Sequence, residues 1–284
     1  IWDFQCSQNM EYGGRMQRMS VKREKLWRSC ELEVRQVIKD TGNNKFSVCI
    51  EKGGQRDQAE SFARKTGCQI IDKPGKQLTV LFNAKGVSLT GYGLTYQGDF
   101  ENMLHRVTNG RLQHEMLVRA AKSEKEGRKA IDATAGMGED AFLLAAQGYE
   151  VTLYEQNPVI AVLLKDALRR AKKHPILKDI AGRMKLVEGN SVECMAKLLD
   201  PVDVIYLDPM FPARQKSSLI NKKLQLIQKL EPPCSEETDL FDAAIKAGPD
   251  KIIVKRPLKS EFLDGRKPSY TLNGKAIRYD CYTL

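Results

Sequence analysis

A chain of 284 residues with 42% hydrophobic content can bury one large α/β core and a smaller second one. Lys and Arg outnumber Asp and Glu by 46 to 36, a net charge of +10, which favours polyanionic partners and salt-sensitive binding to them. Seven scattered cysteines with no C-x-x-C pair argue against a zinc cluster or a disulfide framework, and no apolar run of about 18 residues or export signal is present; the expectation is a cytoplasmic protein with no metal and no membrane partner.

Residues 1–45 are polar and basic. They read as an extension with one amphipathic helix from about Val21 to Ile38, in which Leu26, Cys30, Val34, Val37 and Ile38 recur at helical spacing. From Phe46 the units shorten. Strands are predicted at Phe46 to Glu51, Gln69 to Asp72, Leu78 to Phe82 and Val87 to Leu89, with a helix from Gln55 to Lys65 and glycine turns between them. This is a small α+β domain ending near residue 98. A helix from Arg111 to Lys122 then bridges to the linker Glu124 to Gly127, so the smaller domain with its bridge occupies 46–125.

Over 126–284 strands and helices alternate. Strands are predicted at Ala130 to Ala133, Val151 to Tyr154, Met184 to Val187, Val202 to Leu207 and Lys251 to Val254, with helices near 139–147, 158–172, 191–199, 216–230 and 236–247. Such alternation predicts a mostly parallel sheet covered on both faces. Asn273-Gly274 between two apolar runs adds a C-terminal antiparallel hairpin, which a plain dinucleotide-binding domain does not need.

Ile131 to Ala141 turns from strand into helix, and Gly136 and Gly138 let a ligand approach the backbone at the helix N-terminus. The same spacing is a G-x-G-x-x-A dinucleotide turn, so NAD and S-adenosylmethionine both remain open at this point. Glu155 ends the next strand, where a carboxylate can accept from both hydroxyls of a ribose. Asn190 and Ser191 can contact an adenine edge, cap the following helix, or both. The fourth strand favours methyl transfer over hydride transfer. Its end, Asp208-Pro209-Met210-Phe211-Pro212, offers an acceptor, a stiff backbone and an aromatic plate suited to a planar amine. Lys216, Lys222 and Lys223 after that strand, with Lys255 and Arg256 after the fifth, put positive charge on the same rim, where phosphates would lie. The histidines, His105, His114 and His174, have no catalytic spacing and read as surface or packing residues.

With these segments in order, the chain resembles the RsmJ family of S-adenosylmethionine-dependent small-subunit ribosomal RNA (guanine-N2-)-methyltransferases. The resemblance rests on Asp132-Ala-Thr-Ala-Gly-Met-Gly-x-Asp140-Ala-Phe142, Glu155-x-Asn157-Pro158-Val159, Tyr206-Leu-Asp208-Pro-Met-Phe-Pro212 with Gln215-Lys216-Ser217, and Val254-Lys255-Arg256-Pro257. It implies a Rossmann-like class I methyltransferase fold for 126–284 and S-adenosylmethionine as cofactor. Asp132, Gly136, Gly138, Glu139, Asp140, Glu155, Gln156, Asn190, Ser191 and Asp208 would bind that cofactor. Asp208, Pro209 and Phe211 would be catalytic, and Phe211, Lys216, Lys255 and Arg256 would bind substrate. Glu139 and Gln156 stand where the family pattern has Arg, and Asn190 where it has Ser; the basic stretch expected before the catalytic domain is reduced to His105-Arg106 and Gly110-Arg111. Ribosomal RNA or the small subunit is the implied partner. The alternatives are methylation of another amine, such as adenine in DNA or a glutamine side chain, and a non-catalytic RNA-binding protein on the same fold.

Overall fold

Two sheets organise the chain, and the order in which their strands are laid down places the crevice. The structure is a computed structural model, described here for residues 46–209, 226, 230 and 237–284. The helix expected at 21–38 lies outside the described residues. So does most of that expected at 216–230, where Leu226 and Leu230 are helical and buried.

The first sheet contains β1 (Phe46–Ile50), β2 (Ile70–Ile71), β3 (Leu78–Asn83), β4 (Gly86–Gly91) and β5 (Leu94–Tyr96), with α1 (Arg56–Thr66) between β1 and β2. Its order is β2-β1-β3-β4-β5. β1 runs parallel to β2 and β3, while β3, β4 and β5 are antiparallel neighbours. β5 was not foreseen, because three residues are too few to show a period. A connection follows with α2 (Leu104–Val107) and α3 (Met116–Ala120). The single helix expected from Arg111 to Lys122 is broken: Arg111–His114 is a 3-10 turn and Glu115 is extended at φ −66°, ψ 126°. Glu115 accepts both arms of the Arg106 guanidinium, at 2.8 and 2.6 Å, a two-point ion pair that fixes the break.

The second sheet is built from β6 (Lys129–Asp132), β7 (Glu150–Glu155), β8 (Met184–Glu188), β9 (Val204–Leu207), β10 (Lys251–Pro257), β11 (Tyr270–Asn273) and β12 (Ile277–Thr283). Helices α4 (Glu139–Ala146), α5 (Pro158–Ala171), α6 (Lys178–Gly182), α7 (Ser191–Ala196) and α8 (Glu237–Lys246) alternate with them. Strand order is β11-β12-β10-β9-β6-β7-β8, and β12 runs against both its neighbours. The rest of the ladder is parallel, as the alternation of apolar runs and helices predicts. Every residue of β9 is buried.

The two sheets meet on α5. Val159, Ile160, Val162 and Leu163 of that helix pack in one apolar cluster with Val48, Val80, Phe82 and Leu89 of the small sheet. Asp166, 1% exposed, pins the contact: it pairs with Arg169 at 2.6 Å and Arg170 at 2.9 Å and accepts the Val87 N–H at 3.1 Å. A buried carboxylate is tolerable only with such partners. Gly86 makes room for it, since a Cβ there would lie 2.3 Å from the Asp166 Oδ2.

Candidate active site

β6 is the first strand of its sheet, with β7 on one side and β9 on the other, so the chain direction switches between β6 and β9. In open α/β sheets the crevice beyond the carboxyl ends at such a switch is where ligands bind. The turn leaving β6 has Gly136 at φ +52° and Gly138 at φ +74°, the latter capping α4 without a side chain. A Cβ on Gly138 would fall 2.9 Å from Leu164 Cδ1 and 3.2 Å from Leu153 Cδ2, so both backbone angle and space require glycine. Met137, between the two glycines, is buried in the apolar cluster of the small sheet. Gly98 clears its path, since a Cβ there would be 2.4 Å from the Met137 methyl.

Glu155 closes β7 and is 7% exposed. Its Oε2 accepts the Gly136 N–H at 2.9 Å and its Oε1 the Asn157 N–H at 2.7 Å, so the carboxylate is oriented by the glycine turn on one side and the start of α5 on the other. Gln156 beside it is exposed. Asn190 caps α7, its Oδ1 accepting from Val192 N at 2.8 Å and Glu193 N at 3.5 Å, with Ser191 opening the helix. A cleft of about 780 Å³ between α7 and α8, lined by Met195, Leu199, Asp239 and Lys246 among others, meets the candidate site at Asn190 among the described residues.

A charged cluster occupies the other half of the crevice. The ammonium of Lys255 lies 2.8 Å from Asp140 Oδ2 and 2.8 Å from Asp208 Oδ2. Tyr206, one strand over, donates its hydroxyl to the same Asp140 oxygen at 2.7 Å, and its ring tilts against Tyr279 with centroids 6.5 Å apart. Asp208 is also held through its backbone, whose N–H donates to the Thr134 hydroxyl at 2.7 Å. Thr134 N–H in turn donates to Asp132 Oδ1 at 3.0 Å.

Burial and neighbouring charge set the proton affinities. Asp132, 1% exposed, is pushed up to about 7 by burial, with Asp140 and Asp208 adding to the rise against the Thr134 hydrogen bond and Lys255. At Asp140 burial works upward, but Lys255, the Tyr206 hydroxyl and the charge of Arg106 outweigh it and hold the carboxyl below its ordinary value. Burial works to lower Lys255, yet its two carboxylate partners hold it well above the ordinary lysine range. Tyr206 and Tyr279 are raised by burial and then by the carboxylates.

Of the residues singled out from sequence, Asp132, Asp140, Asp208 and Lys255 thus form one cluster, and Gly136, Gly138 and Glu155 form the adjoining turn. Glu139 is exposed on the first turn of α4, and its charge is felt by Tyr96 of the small sheet. Pro209 is buried directly after Asp208. Arg256 does not join the rim. It is 6% exposed, pairs with Glu237 at 2.9 Å and donates to the Glu261 carbonyl at 3.2 and 2.9 Å. Successive residues of a strand point to opposite faces, so Lys255 and Arg256 cannot both face the crevice. Arg106 is likewise committed, to Glu115. Phe211 and Lys216 lie outside the described residues. Sequence reasoning missed Thr134, Tyr206 and Tyr279 as members of the site. The signal for two of them was available: Thr134 stands two residues after Asp132 in a turn, and Tyr206 two residues before Asp208 on the same strand.

Residues 75–284 match the model of a family described as SAM-dependent methyltransferases, SAM being S-adenosylmethionine. A protein of Pseudomonas aeruginosa named ribosomal RNA small subunit methyltransferase J is 35% identical over 251 residues, 86% of this chain and 96% of its own length. One of the same name from Pseudomonas paraeruginosa is 42% identical over 234 residues, 80% of this chain and 90% of its own length. The crystal structure of a SAM-dependent methyltransferase from Neisseria gonorrhoeae superposes with a TM-score of 0.66 at 29% identity, covering 84% of this chain and 95% of that one.

Proposed function

We propose that this chain, which belongs to the SAM-dependent methyltransferase family, methylates the exocyclic N2 amine of a guanine in small-subunit ribosomal RNA. The observation that carries the reading is Asp208. It stands at the carboxyl end of β9 beside the topological switch, with its backbone held by Thr134 and its carboxylate by Lys255. The substrate class follows the relatives, named as ribosomal RNA small subunit methyltransferases.

The turn fits the cofactor on its own terms. Gly138 lets the turn pack down on Leu164 and Leu153, Gly136 leaves its outer side open, a Cβ there meeting nothing nearer than the Thr134 carbonyl at 3.9 Å, and Glu155 is a pre-oriented acceptor for ribose hydroxyls. Asn190 and Ser191 would meet the adenine edge. SAM supplies, when bound, an electrophilic methyl group on a positively charged sulfur. The protein's task is to make a poor nucleophile attack it. A guanine amine has its lone pair delocalised into the ring. The Asp208 carboxylate and the Pro209 carbonyl accept its two N–H bonds, which favours a pyramidal nitrogen with an aimed lone pair, and Phe211 stacks on the base. After methylation the nitrogen is cationic and acidic, so it loses one proton to water or to Asp208 without a strong base. A stacked or paired guanine must first be splayed out, at about a few kcal/mol.

The test incubates wild type and Asp208→Ala with isotopically labelled SAM and, separately, small-subunit rRNA, DNA and cell protein, followed by mass spectrometry of the nucleosides. N2-methylguanosine from rRNA with wild type, and its loss by at least a hundredfold with Asp208→Ala at only a modest loss of SAM binding, is the expected result. Label found in adenine or glutamine instead would overturn the guanine reading, and full activity of the Asp208 variant would overturn the mechanism.

A further inference from the structure

We propose that Lys255 is a positioning residue which ties the cofactor turn to the acceptor loop through Asp140 and Asp208, and that it is not a contact to RNA phosphate. The proposal rests on the methyl-transfer reading of the same site and deepens it. Asp140 stands in the first turn of α4, directly after the glycine turn; Asp208 follows β9. One ammonium bridges them, at 2.8 Å to each. These two carboxylates come from different elements, the helix after β6 and the end of β9, so Lys255 sets their relative position.

Charge accounting argues against phosphate. Among the described residues, two ionised carboxylates and one ammonium sum to −1, and Asp132 lies in the same electrostatic field. A polyanion approaching Lys255 would meet two carboxylates already holding its ammonium. The side chain is 25% exposed and stands opposite Tyr279 in the β10–β12 register, which flanks its stem. Tyr206 occupies the Asp140 oxygen from the β9 side, so the three-way contact is built, not incidental.

Its consequence lies in the ionisation of Asp208. The groups facing Lys255 are Asp140 from α4, Asp208 after β9, Asp132 from β6, Tyr206 from β9 and Tyr279 from β12, with Arg106 of α2 acting on Asp140 at longer range. With the ammonium gone, two carboxylates share one pocket, and one of them takes up a proton at higher pH. An Asp208 that is protonated, or free to rotate, no longer offers a fixed acceptor to the amine.

The experiment compares wild type, Lys255→Met and the double variant Lys255→Met/Asp140→Asn. Three quantities are read: kcat against pH, the salt dependence of RNA binding, and carboxyl carbon NMR titration of aspartate-labelled protein. For Lys255→Met the expected result is a fall in kcat of tenfold or more. The acid limb of the pH profile should move up by about one unit or more, with RNA affinity and its salt slope unchanged. The double variant removes the cation together with one carboxylate, so its acid limb should return toward that of wild type. Loss of a phosphate contact would instead lower the salt slope by about one and leave kcat and the pH profile in place, and this overturns the proposal. Should Lys255→Met not fold, the double variant is compared with Asp140→Asn alone, in which the ammonium still faces Asp208: a higher acid limb in the double variant supports the bridge, and equal acid limbs or a lowered salt slope overturn it. The NMR titration keeps the two readings apart. If wild type methylates no RNA, the functional reading fails, whereas an aspartate that titrates higher in Lys255→Met still supports the bridge and an unchanged titration sinks it.

Discussion

Asp132 carries a cost that pH can expose. Its carboxyl is raised from 3.8 to about 7, chiefly because it is buried. A folded-state pKa above the unfolded value means that the native state binds this proton more tightly. The fold therefore loses stability as pH rises from about 4 to about 7, and the loss is complete above that window. Three units at 1.36 kcal/mol each give a penalty of about 4 kcal/mol at pH 8. Asp132→Asn removes the ionisation while retaining an Oδ1 acceptor for the Thr134 N–H. The variant should be more stable than wild type at pH 8 by about 2–4 kcal/mol. Its advantage should grow by about 2 kcal/mol between pH 5.5 and 7 and then level off. Urea unfolding followed by circular dichroism across pH 5.5–8.5 reads this directly. A difference between the two proteins that does not vary with pH would refute the reasoning, because it would mean that Asp132 is ionised or protonated alike in both states.

Two further predictions concern the scaffold. Gly86→Ala should cost about 2–4 kcal/mol in urea unfolding, since φ is +120° and the new Cβ would strike Asp166. Gly93→Ala, at φ +74° with open space around it, should cost only about 1 kcal/mol. Arg256→Ala should destabilise by about 2–3 kcal/mol through the orphaned Glu237, yet leave the salt dependence of RNA binding unchanged; a reduced slope in binding titrations would return Arg256 to the rim.

The parts of this fold that were legible in sequence are those where one residue pattern has one outcome. Val204 to Leu207 is a short apolar run that could only be a covered strand, and Asn273-Gly274 announces a hairpin. Gly136 and Gly138 after a strand mark a tight turn into a helix, and both take positive φ there. The misreadings occurred where a partner distant in sequence decides the outcome. Arg111 to Lys122 has helical composition, but Arg106 draws Glu115 out of the helix. Lys255 and Arg256 look alike as cations at a strand end. Their faces differ by the parity of the strand, and Glu237 claims one of them while Asp140 and Asp208 claim the other. Tyr279 is invisible as a site residue until β12 is known to slot beside β10.

Met137 has an implication for how such an enzyme can be cut and reassembled. The residue between the two glycines of the turn after β6 belongs to the hydrophobic interior of the other sheet, and Phe100 stacks on Phe142 of α4 at 5.0 Å just behind it. A catalytic half beginning at residue 126 would expose that methionine to water and free the turn it anchors. The small sheet is accordingly not detachable from that turn, and swapping it between relatives would require carrying the residues that meet Met137 along with it.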